Sequence, residues 1–209
     1  MICIDKDRCT GCGSCVADCI SGVLSISEGK AQVAGECLRC GHCVAICPQA
    51  APSISIYSDT PVDYDAKTFD IPTQNMLNTI KFRRSVRQFK KEPLSYDDLH
   101  TLIDAAAHTP TAKNAQACRF VFIQDSLEEF KQTVWRNIQS AFDEGKELPI
   151  PRSSIENFLK LRHTEQPQDY LFRNAPAVLC VQAPDPVDAG LAASAIEMVG
   201  TTLGIGVLY

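Results

Sequence analysis

Eight cysteines near the start of the chain repeat one spacing twice: Cys9-x2-Cys12-x2-Cys15-x3-Cys19 and Cys37-x2-Cys40-x2-Cys43-x3-Cys47. Thiolates ligate iron–sulfur clusters and structural zinc. A [4Fe–4S] cubane presents four iron corners, each of which needs one thiolate. Three closely spaced cysteines can wrap one loop around three of those corners. The residues between them (Thr10, Gly11, Gly13 and Ser14, then Gly41) are small, so the backbone can approach and turn N–H groups toward sulfur. The chemistry of such a site is one-electron transfer. A disulfide framework would suit a small secreted domain, but no export signal precedes Cys9. Zinc would use paired C-x2-C units, and a third cysteine at the same step argues against it. Unrelated thiols would not repeat the whole pattern.

The two runs resemble bacterial-type ferredoxins with two [4Fe–4S] clusters, whose second run ends in Cys-Pro as Cys47-Pro48 does. The resemblance implies crossed ligation, in which the fourth cysteine of each run serves the other cluster. Cluster I then takes Cys9, Cys12, Cys15 and Cys47, and cluster II takes Cys37, Cys40, Cys43 and Cys19. Ile20 stands where that pattern often has proline. Cys3 lies outside both runs and reads as a small buried residue beside the first strand. His42, inside the second run, reads as a surface residue.

Nine of the 11 cysteines fall in the first 47 residues, so the rest of the chain is a different kind of polypeptide. Its 209 residues suit one or two domains, and an apolar fraction of 45% supplies a core. A net charge of −5 does not suggest a nucleic-acid or anionic-membrane partner. No apolar run approaches the roughly 18 residues of a membrane span. Thiolate clusters without an export signal predict a reducing cytoplasm.

Three segments emerge. Residues 1–57 carry the cysteine runs and short apolar strands around Ile2, Ile4, Ile26, Val33, Ile54 and Ile56, with a turn at Glu28-Gly29-Lys30. Residues 58–75, rich in Asp, Pro, Thr and Ser, read as a linker. Residues 76–209 hold longer elements. A helix is predicted over 76–84. Ser95-x-x-Asp98 and Ser126-x-x-Glu129 read as helix N-terminal caps. Leu99, Leu102, Ile103 and Ala106 form one apolar helix face, and Phe130, Val134, Ile138 and Phe142 another. Residues 120–123 and 177–181 read as buried strands, with Cys180 in the core. Asp188 opens a helix of small residues. Trp135 reads as packing. Helices between buried strands predict an α+β or α/β domain with a mixed sheet.

Two stretches of this second part could bind a cofactor. Arg83-Arg84-Ser85-Val86-Arg87 places three guanidiniums and a hydroxyl within five residues, a set suited to phosphate. If the segment is extended, Arg83, Ser85 and Arg87 share a side. The polar loop Thr109-Pro110-Thr111-Ala112-Lys113-Asn114-Ala115-Gln116 either presents amides to a planar ring or merely joins a helix to a strand. R-R-S-V-R-x-F followed by P-T-x-x-N-x-Q resembles the nitroreductase family of FMN enzymes over residues 79–209. Asp188-Ala-Gly-Leu-Ala-Ala and Leu203-Gly-Ile-Gly are also family-like. The resemblance implies an α+β sandwich that dimerises with FMN at the subunit interface. It puts Arg83, Ser85 and Arg87 on the FMN phosphate with Arg84 beside them, and Asn114 on the flavin ring. Pro110, Thr111 and Gln116 would line the ring. Where the family often continues Gln-Pro-Trp, this chain has Gln116-Ala117-Cys118, and Cys118 reads as a packed residue.

The resulting expectation is an α+β iron–sulfur flavoprotein oxidoreductase. It would carry electrons from a reduced ferredoxin or similar donor, through two [4Fe–4S] clusters and FMN, to a small organic acceptor such as a nitro compound, quinone or activated alkene. No G-x-G-x-x-G fingerprint is present. No side-chain catalytic constellation is expected. Two alternatives are a redox module that hands electrons to a protein partner, and family chemistry such as flavin modification or reductive dehalogenation. The resembled family also continues beyond the position of Tyr209, so a domain lacking its C-terminal part is expected.

Overall fold

Alternation of inward and outward side chains builds the N-terminal part from short strands. The structure, a computed structural model, describes residues 1–57, 61–165 and 167–209. Ser58, Asp59 and Thr60 of the expected linker lie outside the described residues. The chain divides into two units. The first is Met1–Pro72 with Thr111–Gln116, and the second is Thr73–Pro110 with Ala117–Tyr209.

In the first unit, β1 (Ile2–Ile4) pairs antiparallel with β4 (Pro52–Ile54) in the register Ile2↔Ile54. Ile2 and Ile54 point inward. Cys3, expected inside, is exposed because strand alternation turns it away from Ile2. β2 (Leu24–Ser27) and β3 (Lys30–Val33) form a hairpin. Glu28 and Gly29, with φ of 52° and 71°, make the two-residue turn whose twist suits paired strands. Each cysteine run leads into a single helical turn, α1 (Ser14–Ala17) and α2 (His42–Ala45). Cys9, Cys15 and Cys43 pack with Ile2, Val23, Leu24, Ala31, Ala51 and Ile54 in one core. A group bound by these thiols would therefore sit in the middle of the unit, as in small metal-dependent folds. α3 (Ala66–Phe69) interrupts the segment expected to lack structure. Asp65 caps it by accepting from Lys67 N at 2.9 Å.

In the second unit, α4 (Thr73–Phe82) starts before residue 76 and ends before the arginines, which leaves residues 83–90 without helix or strand. Ser95 caps α5 (Tyr96–Ala107) as expected, accepting from Asp98 N at 3.1 Å. Ser126 makes no side-chain cap on α6 (Leu127–Asp143), since its backbone (φ −99°, ψ 21°) is not the extended form that aims the hydroxyl at the first turn. α7 (Arg152–Arg162) follows. α8 (Pro186–Thr202) is capped by Asp185, not opened by Asp188. Asp185 accepts from Val187 N at 2.8 Å, and Pro186 occupies the first turn.

The expected mixed sheet is, among the described residues, an antiparallel pair. β5 (Arg119–Ile123) runs against β6 (Val178–Gln182) in the register Val121↔Cys180. Among the described residues, only one face of the pair is covered. Phe120, Phe122, Leu179 and Val181 pack on Leu102 and Ala106 of α5 and Ala192 and Ile196 of α8. Val121 and Cys180 face outward, so Cys180 is exposed rather than core. Ala192 has no exposed surface. Its small side chain lets α8 approach α5, and a larger one would cost about 1–3 kcal/mol in overpacking. Trp135 packs with Ile155 and Leu159 and meets Phe172 edge-on at 6.5 Å. Among the described residues, no helix is long and apolar enough to cross a membrane.

Candidate functional site

The cysteine loops owe their shape to backbone that few residues adopt. Gly11, Gly13 and Gly41 have φ of 71°, 79° and 81° in the order Gly11, Gly41, Gly13, all left-handed. Backbone N–H groups then reach sulfur. Ala31 N donates to Cys9 Sγ at 3.4 Å, Arg39 N to Cys37 Sγ at 3.2 Å and Ala51 N to Cys47 Sγ at 3.4 Å. Cys9, Cys12, Cys15 and Cys47 line one cavity, together with Gly11 and Ser14. Three sulfurs of the first run and the last of the second thus share a space. Among the described residues, no group of three or more His, Cys, Asp or Glu side chains is arranged to hold a single metal ion. Sulfurs that ring a space, with N–H groups aimed at two of the four, suit a cluster.

The thiols are not electrostatically equal. The Ala31 amide, then that of Gly11, holds Cys9 below the usual thiol range. The Ser14 hydroxyl, 3.5 Å away, lowers Cys12. Burial raises Cys15, and the neighbouring charges that raise it further are Cys47, Cys9 and Cys12. Burial, followed by the Cys37 charge, pushes Cys43 up to about 11. Buried thiols ionise when a cation compensates them, so a cluster bound by these cysteines would displace their protons. His42 Nδ1 lies 3.2 Å from Asp18 Oδ2 in an exposed pair, which agrees with a surface position.

Crossed ligation makes a prediction that iron counting can settle. Cys9→Ala with Cys47→Ala removes two ligands from one cluster, so the double variant is expected to keep about four iron per chain. Ligation within each run would instead place the two changes in different clusters, and iron would fall toward zero.

The basic segment lies in the second unit. Val86 N donates to Val207 O at 3.0 Å, which fixes the backbone between Ser85 and Arg87. Gly206 admits Val86: a Cβ on Gly206 would stand 2.5 Å from Val86 Cγ2. Arg83 Nη1 donates to Glu197 Oε1 at 3.1 Å. Arg84 Nη1 turns back to Lys81 O and Arg83 O, and Arg87 Nη1 lies 3.5 Å from Ser85 O. Arg87 lines a cavity of about 750 Å³ with Lys91, Lys131 and Arg173 and with the acids Asp125 and Glu128. Arg83 and Arg84 do not line it. The structure therefore holds the three guanidiniums by different partners, although exposed N–H donors remain on a short, partly fixed segment that fits a phosphate. Another cavity, of about 640 Å³, is lined by apolar side chains such as Phe122, Phe172, Leu179 and Ile196 and holds none of these arginines.

Pro110 ends its part of the second unit, whereas Thr111–Gln116 belongs with the first. The reason is Asn114, whose Nδ2 donates to Leu38 O and Arg39 O, both at 3.0 Å. These carbonyls lie between Cys37 and Cys40. Gln116 Nε2 donates to Asn114 Oδ1 at 3.2 Å, and Gln116 N to Thr111 Oγ1 at 2.9 Å. Lys113, Asn114 and Gln116 all have positive φ, so the loop is shaped by these bonds against ordinary preference. Cys118 packs beside the α5–α8 core, and burial with the Asp188 charge raises its thiol, consistent with a packing role. Sequence reading missed Glu197, Val86 and Gly206. The signals were an acid in the middle of a helix of small apolar residues and the second glycine of Leu203-Gly-Ile-Gly.

Residues 80–209 match the nitroreductase family, and residues 8–51 match the 4Fe-4S dicluster domain. The chain belongs to the nitroreductase family, with an iron–sulfur domain at its N-terminal side. A protein of Streptococcus pyogenes serotype M6 whose name proposes NAD(P)H nitroreductase activity is 37% identical over 49 residues, 23% of this chain and 24% of its own. The match thus spans about a quarter of that relative's length. A nitroreductase from Bacteroides fragilis NCTC 9343, solved with bound FMN, is 24% identical with a TM-score of 0.51. That likeness covers 64% of this chain and 68% of the other, and it establishes the fold, in agreement with the α+β expectation. A BluB-like flavoprotein from Clostridium difficile 630 aligns at 22% identity and a TM-score of 0.48 over 63% of this chain and 71% of its own.

Proposed function

We propose that this chain is an iron–sulfur flavoprotein oxidoreductase that links a one-electron protein donor, such as reduced ferredoxin, to a small organic acceptor that takes electrons in pairs. The observation that carries this reading is the single cavity lined by Cys9, Cys12, Cys15 and Cys47 in a chain that belongs to the nitroreductase family. When bound, two [4Fe–4S] clusters supply one-electron transfer and FMN supplies paired-electron chemistry. The chain's own residues bind and orient these groups. Cys9, Cys12, Cys15 and Cys47 hold one cluster, and Cys37, Cys40, Cys43 and Cys19 the other. Arg83, Arg84, Ser85 and Arg87 hold the FMN phosphate. Pro110, Thr111, Asn114 and Gln116 form the loop beside the flavin ring. The acceptor class is a nitro compound, quinone or activated alkene.

Two further parts of the reading concern setting. Exposed Met76, Leu77 and Ile80 on α4 and Val187 and Leu191 on α8 support a homodimer, because apolar side chains at such spacing gain from a second surface. Thiolate clusters support a reducing cytoplasm.

Iron, acid-labile sulfide and released FMN, counted per chain on anaerobically purified protein, test the proposal. About eight iron, eight sulfide and one FMN are expected. Iron without flavin would sink the enzyme reading. With flavin present, turnover of nitro compounds or quinones under a chemical reductant separates an enzyme from a module that serves only a protein partner.

A further inference from the structure

Glu197 is one of two buried acids of α8, with Asp188, and the preceding account leaves it without a task. It is 5% exposed, on a helix whose other buried positions include Ala192, Ile196 and Gly200. An ionised carboxylate in such surroundings carries a desolvation cost that an apolar side chain of similar volume would avoid. Its Oε1 accepts from Arg83 Nη1 at 3.1 Å, and its Oε2 lies 3.4 Å from the Tyr209 hydroxyl, which also donates to Ala193 O at 2.9 Å.

The contrast among the three arginines gives this pair its meaning. The Arg83 side chain is 40% exposed, so one edge of its guanidinium is held by the buried acid while other donors remain accessible. Arg84 is bonded to Lys81 O near the end of α4 and to Arg83 O, and Arg87 to Ser85 O. The carbonyls of Arg83 and Ser85 move with the segment and cannot orient it against the rest of the unit. Glu197 belongs to a helix packed in the core and can. A guanidinium restrained in this way loses less freedom when it closes on a phosphate.

We infer that Glu197 is a positioning residue that presents Arg83 to the phosphate of FMN and so sets the preference for the phosphorylated flavin over riboflavin. The inference rests on the proposed phosphate role of Arg83. Neutralising Arg83 would be the opposing effect of the same carboxylate, and the sign of the change on its removal decides between them.

The test titrates FMN and riboflavin separately into the flavin-stripped full chain with its iron content verified. The readout is the ratio of riboflavin Kd to FMN Kd. Glu197→Met is expected to lower that ratio about tenfold through weaker FMN binding, with riboflavin Kd unchanged. Glu197→Gln keeps an acceptor without the charge and is expected to lower it about threefold. In Arg83→Met, adding Glu197→Met is expected to cause no further fall, because the acid acts through the arginine. Should Glu197→Met fail to fold, Glu197→Gln decides. A fall below twofold, a rise in the ratio, or equal weakening of both flavins in the folded variant overturns the inference. Failure of the underlying reading looks different: the native chain itself would bind FMN no more tightly than riboflavin, and Arg83→Met would change neither.

Discussion

Gly11→Ala is expected to cost the first cluster, with iron falling from about eight to about four or fewer per chain. Two effects combine. Gly11 has φ +71°, where an L-residue with a Cβ is strained by about 1–2 kcal/mol. More importantly, the new Cβ would stand 2.1 Å from Gly29 O and 2.8 Å from Gly29 C. These are backbone atoms of the β2–β3 turn, which has no flexible side-chain end to give way. Either the turn opens or the loop carrying Cys9 and Cys12 lifts. Ala31 N, which donates to Cys9 Sγ, sits on the same hairpin, so both movements also disturb a bond to a sulfur. Gly22→Ala, outside the lining of the cavity of Cys9, Cys12, Cys15 and Cys47, is the matched control. Its φ is +62°, yet among the described residues nothing lies within 4 Å of the added Cβ. It pays only the conformational term, and full iron content is expected. Equal iron content in the two variants would refute the contact argument.

Gly206→Ala is expected to weaken FMN binding at least tenfold while leaving iron content intact, at a cost in fold stability of about 1–3 kcal/mol. Here the backbone is not in the left-handed region, so alanine itself is acceptable. The effect comes from Val86, whose Cγ2, Cβ and Cγ1 would lie 2.5, 2.8 and 2.9 Å from the new Cβ. Valine is stiff at χ1 and cannot swing all three atoms away. The segment carrying Ser85 and Arg87 must move, and Val86 N would lose its bond to Val207 O. Removing the obstacle should reverse the defect, so Val86→Gly, which takes away Cβ as well as both Cγ atoms, is expected to recover most of the FMN affinity in the Gly206→Ala chain. Fluorescence titration of FMN on the native chain, the two single variants and the double variant measures this. Native affinity in Gly206→Ala, or no recovery in the double variant, would show that this contact does not position the phosphate segment.

The two contacts behind these predictions differ in how far they could be read in advance. Glycines between closely spaced cysteines follow from local chemistry, since a loop that wraps a cluster needs small residues and turned amides. That Gly11 meets Gly29 does not, because it requires the hairpin to fold over the first loop. Val86 and Gly206 are still further apart in the chain. Likewise, strand alternation was legible at Ile2 and Ile54, but a run such as Val178–Gln182 reads as wholly buried until its partner layers are known. Among the described residues only one face of β5–β6 is covered, and Cys180 lies on the other.

Taken alone, the sequence determined the kinds of group this protein can hold. Eight thiols in two equal spacings, three guanidiniums beside a hydroxyl, and a polar loop are local facts, set by residue type and short chain steps. Tertiary structure decided which of them meet. It brings Cys47 to the cavity of Cys9, Cys12 and Cys15, gives Arg83 a buried acid on α8, and fastens Asn114 to the carbonyls between Cys37 and Cys40. Each of these pairings joins residues far apart in the chain, and packing of whole elements, rather than any local preference, brings such residues together.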